Sequence, residues 1–179
     1  MSMQATYASF YAMPPQLVED GAKTWIARGA NFIVAYTQAP AGAKFKRDNA
    51  DEYMVFLPRM KATISAGPSE IGAGAETLTI VPPGASCVTT SESGEMIRVF
   101  SNRATDLAAL ATNRSAYAEG APGVAALEPW PDPPAGFKLR NYKIADFTRA
   151  GSNMRIFRST NIMVNMLTKR ETPRDVKKL

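Results

Sequence analysis

Short β-prone runs separated by turn signals fill the first hundred residues of this chain. Glu76–Val81 alternates polar and apolar side chains and stops at Pro82-Pro83-Gly84, and Tyr53–Leu57 stops at Pro58, which has no N–H to donate to a ladder. Turn signals recur about every eight to twelve residues, a spacing typical of an antiparallel sandwich or barrel. We therefore predict an all-β fold, with strands at Thr24–Ile26, Phe32–Tyr36, Tyr53–Leu57, Lys61–Ala66, Glu76–Val81, Ala85–Thr90 and Met96–Phe100.

One short peripheral helix is predicted after these strands, packed on the edge of the sheet. Thr105 suits its N-cap, Asp106 suits the positive end of its dipole, and Leu107–Ala111 consists of strong helix formers. Strand character returns in Phe137–Ile144 and Met154–Leu167, which are too short to form an independent core. The predicted division is a β-barrel in residues 1–115, a Pro/Gly/Ala-rich linker in 116–136, strands that pair with the barrel or with a partner in 137–168, and a basic tail in 169–179.

The chain contains no histidine and a single cysteine, Cys87. Imidazole is the commonest metal ligand and the side chain most often used for proton transfer near neutral pH. Ser-His-Asp and Cys-His nucleophile systems, His-based zinc sites and His₂-carboxylate iron sites are therefore excluded within this chain. One cysteine also excludes an internal disulfide and a Cys-rich zinc site. The sequence accordingly indicates no catalytic residue.

The positive charge is concentrated at one end of the chain. The net charge is +5, and residues 169–179 alone carry five basic and two acidic side chains. A nucleic-acid-binding protein would instead carry a basic face on its folded body, so we expect no nucleic-acid partner. Met1–Asp20 lacks a basic region followed by an apolar one, and no apolar run approaches the roughly 20 residues of a membrane span. We expect a cytoplasmic protein without a membrane partner.

One segment carries a family resemblance. Leu78-Thr79-Ile80-Val81-Pro82-Pro83-Gly84-Ala85-Ser86-Cys87 is similar to the second conserved segment of the cupin superfamily, the RmlC-like double-sheet jelly roll, or double-stranded β-helix. In that segment an apolar strand closes on Pro-x-Gly before a metal-binding histidine, whose place is taken here by Cys87. Arg47–Tyr53 stands where the first segment would supply His-x-His and a glutamate. The resemblance covers residues 20–103 and implies a cupin barrel with a degenerate metal site.

The part beyond the barrel resembles the linker and opening strands of a bicupin, which has two cupin units in one polypeptide. On that interpretation the chain is the N-terminal part of a bicupin-like protein, or a natural short form. Two unpaired apolar strands would need to be covered, so we also expect a homo-oligomer formed through Phe137–Leu167.

Four residues are candidates for a pocket in the barrel: Arg47, Asn49, Glu52 and Cys87. Asn49, Glu52 and Cys87 could hold a divalent metal, although Cys87 is better explained as a small apolar residue that fills the barrel interior.

The carboxylates of Asp48, Asp51 and Glu52 have two explanations. They could form an oxygen-only site for magnesium or calcium, or they could simply be solvated side chains at the start of a strand. Alternation would place Asp51 and Tyr53 on one face of that strand, and Glu52 on the other.

Two functions remain open from the sequence. The first is a non-catalytic cupin-like domain with a structural or assembly role, or with a small-molecule ligand, and without a cofactor. The alternative is a metal-dependent enzyme of the dioxygenase, isomerase or decarboxylase type, as the resemblance implies. Such an enzyme would use non-histidine ligands or a second cupin unit outside this chain.

Overall fold

The chain folds into two antiparallel β-sheets that face each other, with a separate β-hairpin on the outside. The computed structural model describes residues 10–117, 119–148, 152 and 154–167. Strands are numbered in chain order. One sheet has seven strands: β1 (Leu17–Glu19), β2 (Ala22–Arg28), β3 (Phe32–Ala39), β5 (Tyr53–Leu57), β8 (Thr77–Val81), β10 (Gly94–Ser101) and β11 (Arg140–Lys143). The other has four: β4 (Lys44–Asn49), β6 (Ala62–Ala66), β7 (Ser69–Ala73) and β9 (Gly84–Thr90).

Strands that are distant in sequence become neighbours in both sheets. The larger sheet has the order β1-β2-β3-β10-β5-β8-β11, and the smaller one the order β4-β9-β6-β7. Every pairing is antiparallel, including β10 with β3 and β5 with β8. Because the chain crosses repeatedly from one sheet to the other, the two layers form a jelly-roll barrel. The predicted all-β fold is confirmed.

The main hydrophobic core lies between the two sheets. Ile33 and Val55 from the larger sheet meet Phe45, Ile64 and Val88 from the smaller one, and all five are buried. Successive side chains of a strand point to opposite faces, so the residues between these positions face outwards.

A second core cluster lies on the outer face of the larger sheet. Met54 of β5 and Leu78 and Ile80 of β8 pack there against Phe157 and Ile162. The last two belong to the C-terminal segment, whose strands β12 (Met154–Arg158) and β13 (Met163–Leu167) pair only with each other among the described residues. Both faces of the larger sheet are thus covered around β5 and β8, which explains why β5 is a continuous apolar run and why Thr77 and Thr79 of β8 are buried as well.

The single α-helix of the described residues, α1 (Thr105–Leu110), packs beside β2 near the edge of the larger sheet and contributes side chains to the main core. Leu107 and Ala108 are buried. The predicted N-cap is wrong by one residue, because the N-cap is Ala104, which offers no side-chain hydrogen bond. Short 3-10 turns occupy Phe10–Ala12, Arg114–Tyr117 and Ile144–Phe147. None of the described helices is long and apolar enough to cross a membrane.

Three strands were not predicted, and one predicted strand is shorter. The first of the three, β1, has only three residues and lies at the edge of the larger sheet. Both β4 and β7 lie at edges of the smaller sheet, and β4 buries only alternate side chains, so neither has the apolar run of a central strand. Within Phe137–Ile144 only Arg140–Lys143 forms a strand, which pairs with β8. The predicted basic tail, 169–179, lies outside the described residues.

Candidate functional site

Arg47 and Asn49, two of the four candidates, lie on the inward face of β4. The guanidinium of Arg47 donates to the Asn49 amide oxygen at 3.2 Å and to both carboxylate oxygens of Asp106. It also lies 5.2 Å from the centre of the Phe100 ring. The Asn49 amide nitrogen donates to the backbone oxygen of Asp51 at 2.8 Å. These contacts connect α1 to the barrel. They also leave the Asn49 amide oxygen hydrogen-bonded to the positively charged guanidinium of Arg47.

Glu52 points away from the barrel interior, which corrects its place among the pocket candidates. Its side chain is fully buried on the outer face of the larger sheet, the face that carries Met54. One carboxylate oxygen accepts a hydrogen bond from Arg140 Nη2 at 2.5 Å, and the other accepts one from the Thr160 backbone N–H at 3.0 Å. Glu52 therefore connects the C-terminal segment to the barrel.

Cys87 also lies outside the barrel. It is therefore neither a metal ligand in the interior pocket nor a residue that fills the interior, and both predictions are corrected. In β9 the buried side chains are Ser86, Val88 and Thr90, so Cys87 faces outwards between Lys46 and Ser65, its register partners. It lines an open groove of about 520 Å³ on the outer face of the smaller sheet.

The three carboxylates of the first segment do not converge. Asp48 is exposed. Asp51 is buried; its carboxylate accepts a hydrogen bond from Ser101 Oγ at 2.6 Å and forms an ion pair with Arg103 at 3.0 Å. Asp51 lies in a bend before β5 begins at Tyr53, so the predicted alternation does not extend to it; Glu52 lies on the outer face of the larger sheet and Tyr53 in the main core. Among the residues whose placement is described, no group of three His, Cys, Asp or Glu side chains could hold a metal ion.

Arg98, which the sequence did not single out, is the most unusual residue of the barrel interior. It lies between Met96 and Phe100 on the inward face of β10, and only 7% of its surface is exposed. Its guanidinium stacks over Phe45 at 4.8 Å, and its one hydrogen bond in the described structure runs from Nη2 to Thr37 Oγ1 at 3.4 Å. Its Nε is buried without a hydrogen-bond partner. Burial lowers the pKa of Arg98, because water is removed from its charged form.

The hydroxyl of Tyr53 lies close enough to the Arg98 guanidinium to be affected by its charge. Tyr53 stacks on Phe100, and its hydroxyl lies 3.0 Å from Ser86 Oγ. Burial raises the pKa of Tyr53, whereas its hydrogen bond to Ser86 and the charges of Arg98 and Arg47 act in the opposite direction. The interior therefore combines two guanidinium groups with neutral hydroxyls.

The outer face of the C-terminal hairpin is apolar and open to solvent. Phe157 faces the barrel, so the alternate residues of β12 and β13 face away from it. The large apolar side chains on that outer face are between 40 and 57% exposed: Met154, Ile156, Met163 and Leu167. Such a cluster on one face is typical of an interaction surface.

Known structures share the jelly roll, although no protein-family model and no curated protein matches this chain. An RmlC-like cupin from Shewanella frigidimarina aligns at 15% identity with a TM-score of 0.50, over 59% of this chain and 98% of that one. KdgF from a Halomonas species aligns at 15% identity with the same TM-score, over 56% and 98%. Such identities establish the fold alone. The protein is a double-sheet jelly roll of the RmlC-like cupin fold.

The barrel does not fit the divalent metal that resemblance to cupins implies. Of the proposed ligands only Asn49 faces the interior, and its oxygen is held by Arg47. Glu52 and Cys87 lie on opposite outer faces of the barrel. The guanidinium of Arg98, which has no ion-pair partner among the described residues, would also repel a cation in a medium of low dielectric constant.

Proposed function

We propose that this chain is a non-catalytic, degenerate cupin domain with a structural role, and that its C-terminal hairpin forms an interface with a second copy of the chain. The observation that carries the proposal is the exposed apolar face formed by Met154, Ile156, Met163 and Leu167. A metal-dependent enzyme is less well supported, because its proposed ligands point in different directions.

The hairpin supports a second copy as the occupant for two reasons. Its two strands pair only with each other in the described part of the chain, so each has an outer edge with unpaired backbone groups. A two-fold axis would place the apolar face against itself, which buries the same side chains twice and needs no complementary charge. Arg158 is the charged side chain that alternation places on this face, and its guanidinium lies over the Trp130 ring at 5.5 Å.

Sedimentation velocity of the purified chain tests the interface. We expect the wild type to sediment as a dimer and Ile156→Lys as a monomer, because the charge would have to be buried at the interface. Ile156 is suitable because it is 56% exposed, whereas Val164 in the facing strand packs inwards. Val18→Lys is the matched control, since Val18 is 63% exposed on the edge strand β1.

Far-UV circular dichroism and the melting temperature establish that each variant is folded. The proposal is overturned by a monomeric wild type, by a dimeric Ile156→Lys, or by a loss of the dimer in Val18→Lys alone. A monomeric wild type would instead favour a second cupin unit in a longer polypeptide as the occupant of this face.

A further inference from the structure

A pocket of about 320 Å³ lies outside the barrel, between the open end of the C-terminal hairpin and the outer face of the larger sheet. Phe56, Ile144 and Met166 give it apolar walls, and Glu76 and Arg155 are the charged residues that line it. The volume is at the lower end of the roughly 300–1,000 Å³ that small-molecule sites occupy. The pocket therefore suits a ligand of only a few carbon atoms.

Arg155 is held in a fixed orientation but keeps donors for a ligand. It lies with Phe157 on the face of β12 that packs against the barrel. Its Nε donates to the backbone oxygen of Met166 at 3.2 Å, and its Nη2 donates to that of Leu167 at 2.5 Å. These contacts use two of the five N–H donors of the guanidinium, so Nη1 and Nη2 can still present two parallel hydrogens to a carboxylate. No carboxylate of the described residues lies within 4 Å of Arg155.

Glu76 has a backbone conformation that a residue with a side chain rarely adopts. Its φ is +54°, in the left-handed region. Its N–H donates to the Leu57 oxygen at 2.8 Å, and its oxygen accepts from the Ile144 N–H at 3.0 Å, so the backbone is held on both sides. The carboxylate forms no hydrogen bond or ion pair with another described residue. Backbone positions of this kind concentrate at functional sites.

The two charges line the same pocket without forming an ion pair with each other. A simple carboxylate would be attracted by Arg155 and repelled by Glu76, and a simple amine would meet the reverse. A zwitterion presents a complementary charge to both residues, and such complementarity gives specificity. The apolar part of the same ligand would pack against Phe56, Ile144 and Met166, which already belong to the second core cluster or pack against it.

We propose that this pocket binds a free amino acid with an aliphatic side chain. Arg155 binds its carboxylate, and Glu76 binds its ammonium group. The site involves the face of the hairpin that packs against the barrel, so it does not depend on the interface proposed for the opposite face.

Isothermal titration calorimetry of the full chain with leucine tests the site. We expect saturable binding of one molecule per chain and a melting temperature that rises with the leucine concentration. N-acetyl-leucine lacks the ammonium charge, and leucinamide lacks the carboxylate. Each should bind at least about tenfold more weakly than leucine, because each loses a charged hydrogen-bonding group.

Two variants separate the two charges of the pocket. Glu76→Gln keeps the shape of the side chain, so it should weaken leucine binding about tenfold or more and leave the binding of N-acetyl-leucine no weaker. Arg155→Met should weaken the binding of leucine and of N-acetyl-leucine. Glu70→Gln, at an exposed position of β7, and Arg158→Met, on the outward face of β12, are the matched controls and should bind leucine as the wild type does.

Three outcomes would overturn the proposal: no saturable binding of leucine to the wild type, equal affinity for leucine and its two analogues, or an unchanged affinity for leucine in folded Glu76→Gln. Arg155 also holds two backbone oxygens of β13, so its replacement affects the hairpin itself. The Glu76 side chain has no such contact among the described residues, and Glu76→Gln therefore tests the site whatever the stability of Arg155→Met.

Discussion

Replacing Glu52 should destabilise the protein more than replacing any exposed carboxylate. Glu52→Ala removes a fully buried acceptor and leaves two donors without it, the Arg140 guanidinium and the Thr160 backbone N–H. The Arg140 Nε already lacks a hydrogen-bond partner. Removing one member of a buried ion pair costs about 3–5 kcal/mol. The Arg140 side chain is 19% exposed and can turn partly towards water, so we expect a value near the lower end of that range.

The assay is urea and thermal unfolding of the full chain. For a protein of this length, about 3 kcal/mol corresponds to a fall in melting temperature of roughly 6–12 °C. Glu52→Gln keeps the shape and an acceptor for Thr160, so its loss should be smaller than that of Glu52→Ala. Glu70→Ala, at an exposed position of the edge strand β7, should change the stability by less than about 0.5 kcal/mol. If Glu52→Ala unfolds within about 1 kcal/mol of the wild type, Glu52 does not hold the C-terminal segment on the barrel.

Two further predictions concern the ends and the outer surface of the barrel. The hydrogen bond that Asp106 accepts from Arg47 holds the pKa of Asp106 below its usual value of 3.8. The stability that Asp106 contributes is therefore present above about pH 4 and is lost as the pH falls through this lowered pKa. Acid unfolding of Asp106→Asn should therefore be less steep than that of the wild type over this range, by less than about 1 kcal/mol because Asp106 is mostly exposed. A steeper acid unfolding of the variant would contradict this. Cys87 should react with a thiol reagent in the native protein, and Cys87→Ser should leave the melting temperature unchanged. An unreactive thiol would contradict the outward position of Cys87 and indicate that it lies in the barrel interior.

Strand positions were largely predictable from the sequence, because alternation and turn residues mark them locally. The turn after β8 is an example: Pro82 and Pro83 end the strand, and Gly84 adopts a φ of +98°, which a residue with a side chain rarely takes. The inward or outward direction of the next strand was not predictable in the same way. A shift of one residue reverses every side chain, and Cys87, which the family resemblance placed at an interior position, lies on the outward face of β9.

The candidate site was harder to predict because both faces of the central strands are covered. In β10, Met96 and Phe100 flank Arg98 on the inward face, but Ile97 and Val99 on the outward face are equally apolar. Alternation therefore gave no preference for either face, and an isolated arginine in a strand is usually exposed. The role of Glu52 depends on Arg140 and Thr160, which are distant in sequence, so no local pattern could indicate it.

Metal content tests the central claim most directly, which is that the interior of this barrel is not suited to a transition metal. The full chain would be produced in medium supplemented with iron, manganese, nickel and zinc, purified without chelators, and measured by mass spectrometry of the elements. We expect each metal to be far below one equivalent per chain, in the wild type and in Arg98→Met alike. One equivalent of a single metal, lost when Asn49 is replaced by alanine, would contradict the account and restore the metal-dependent enzyme.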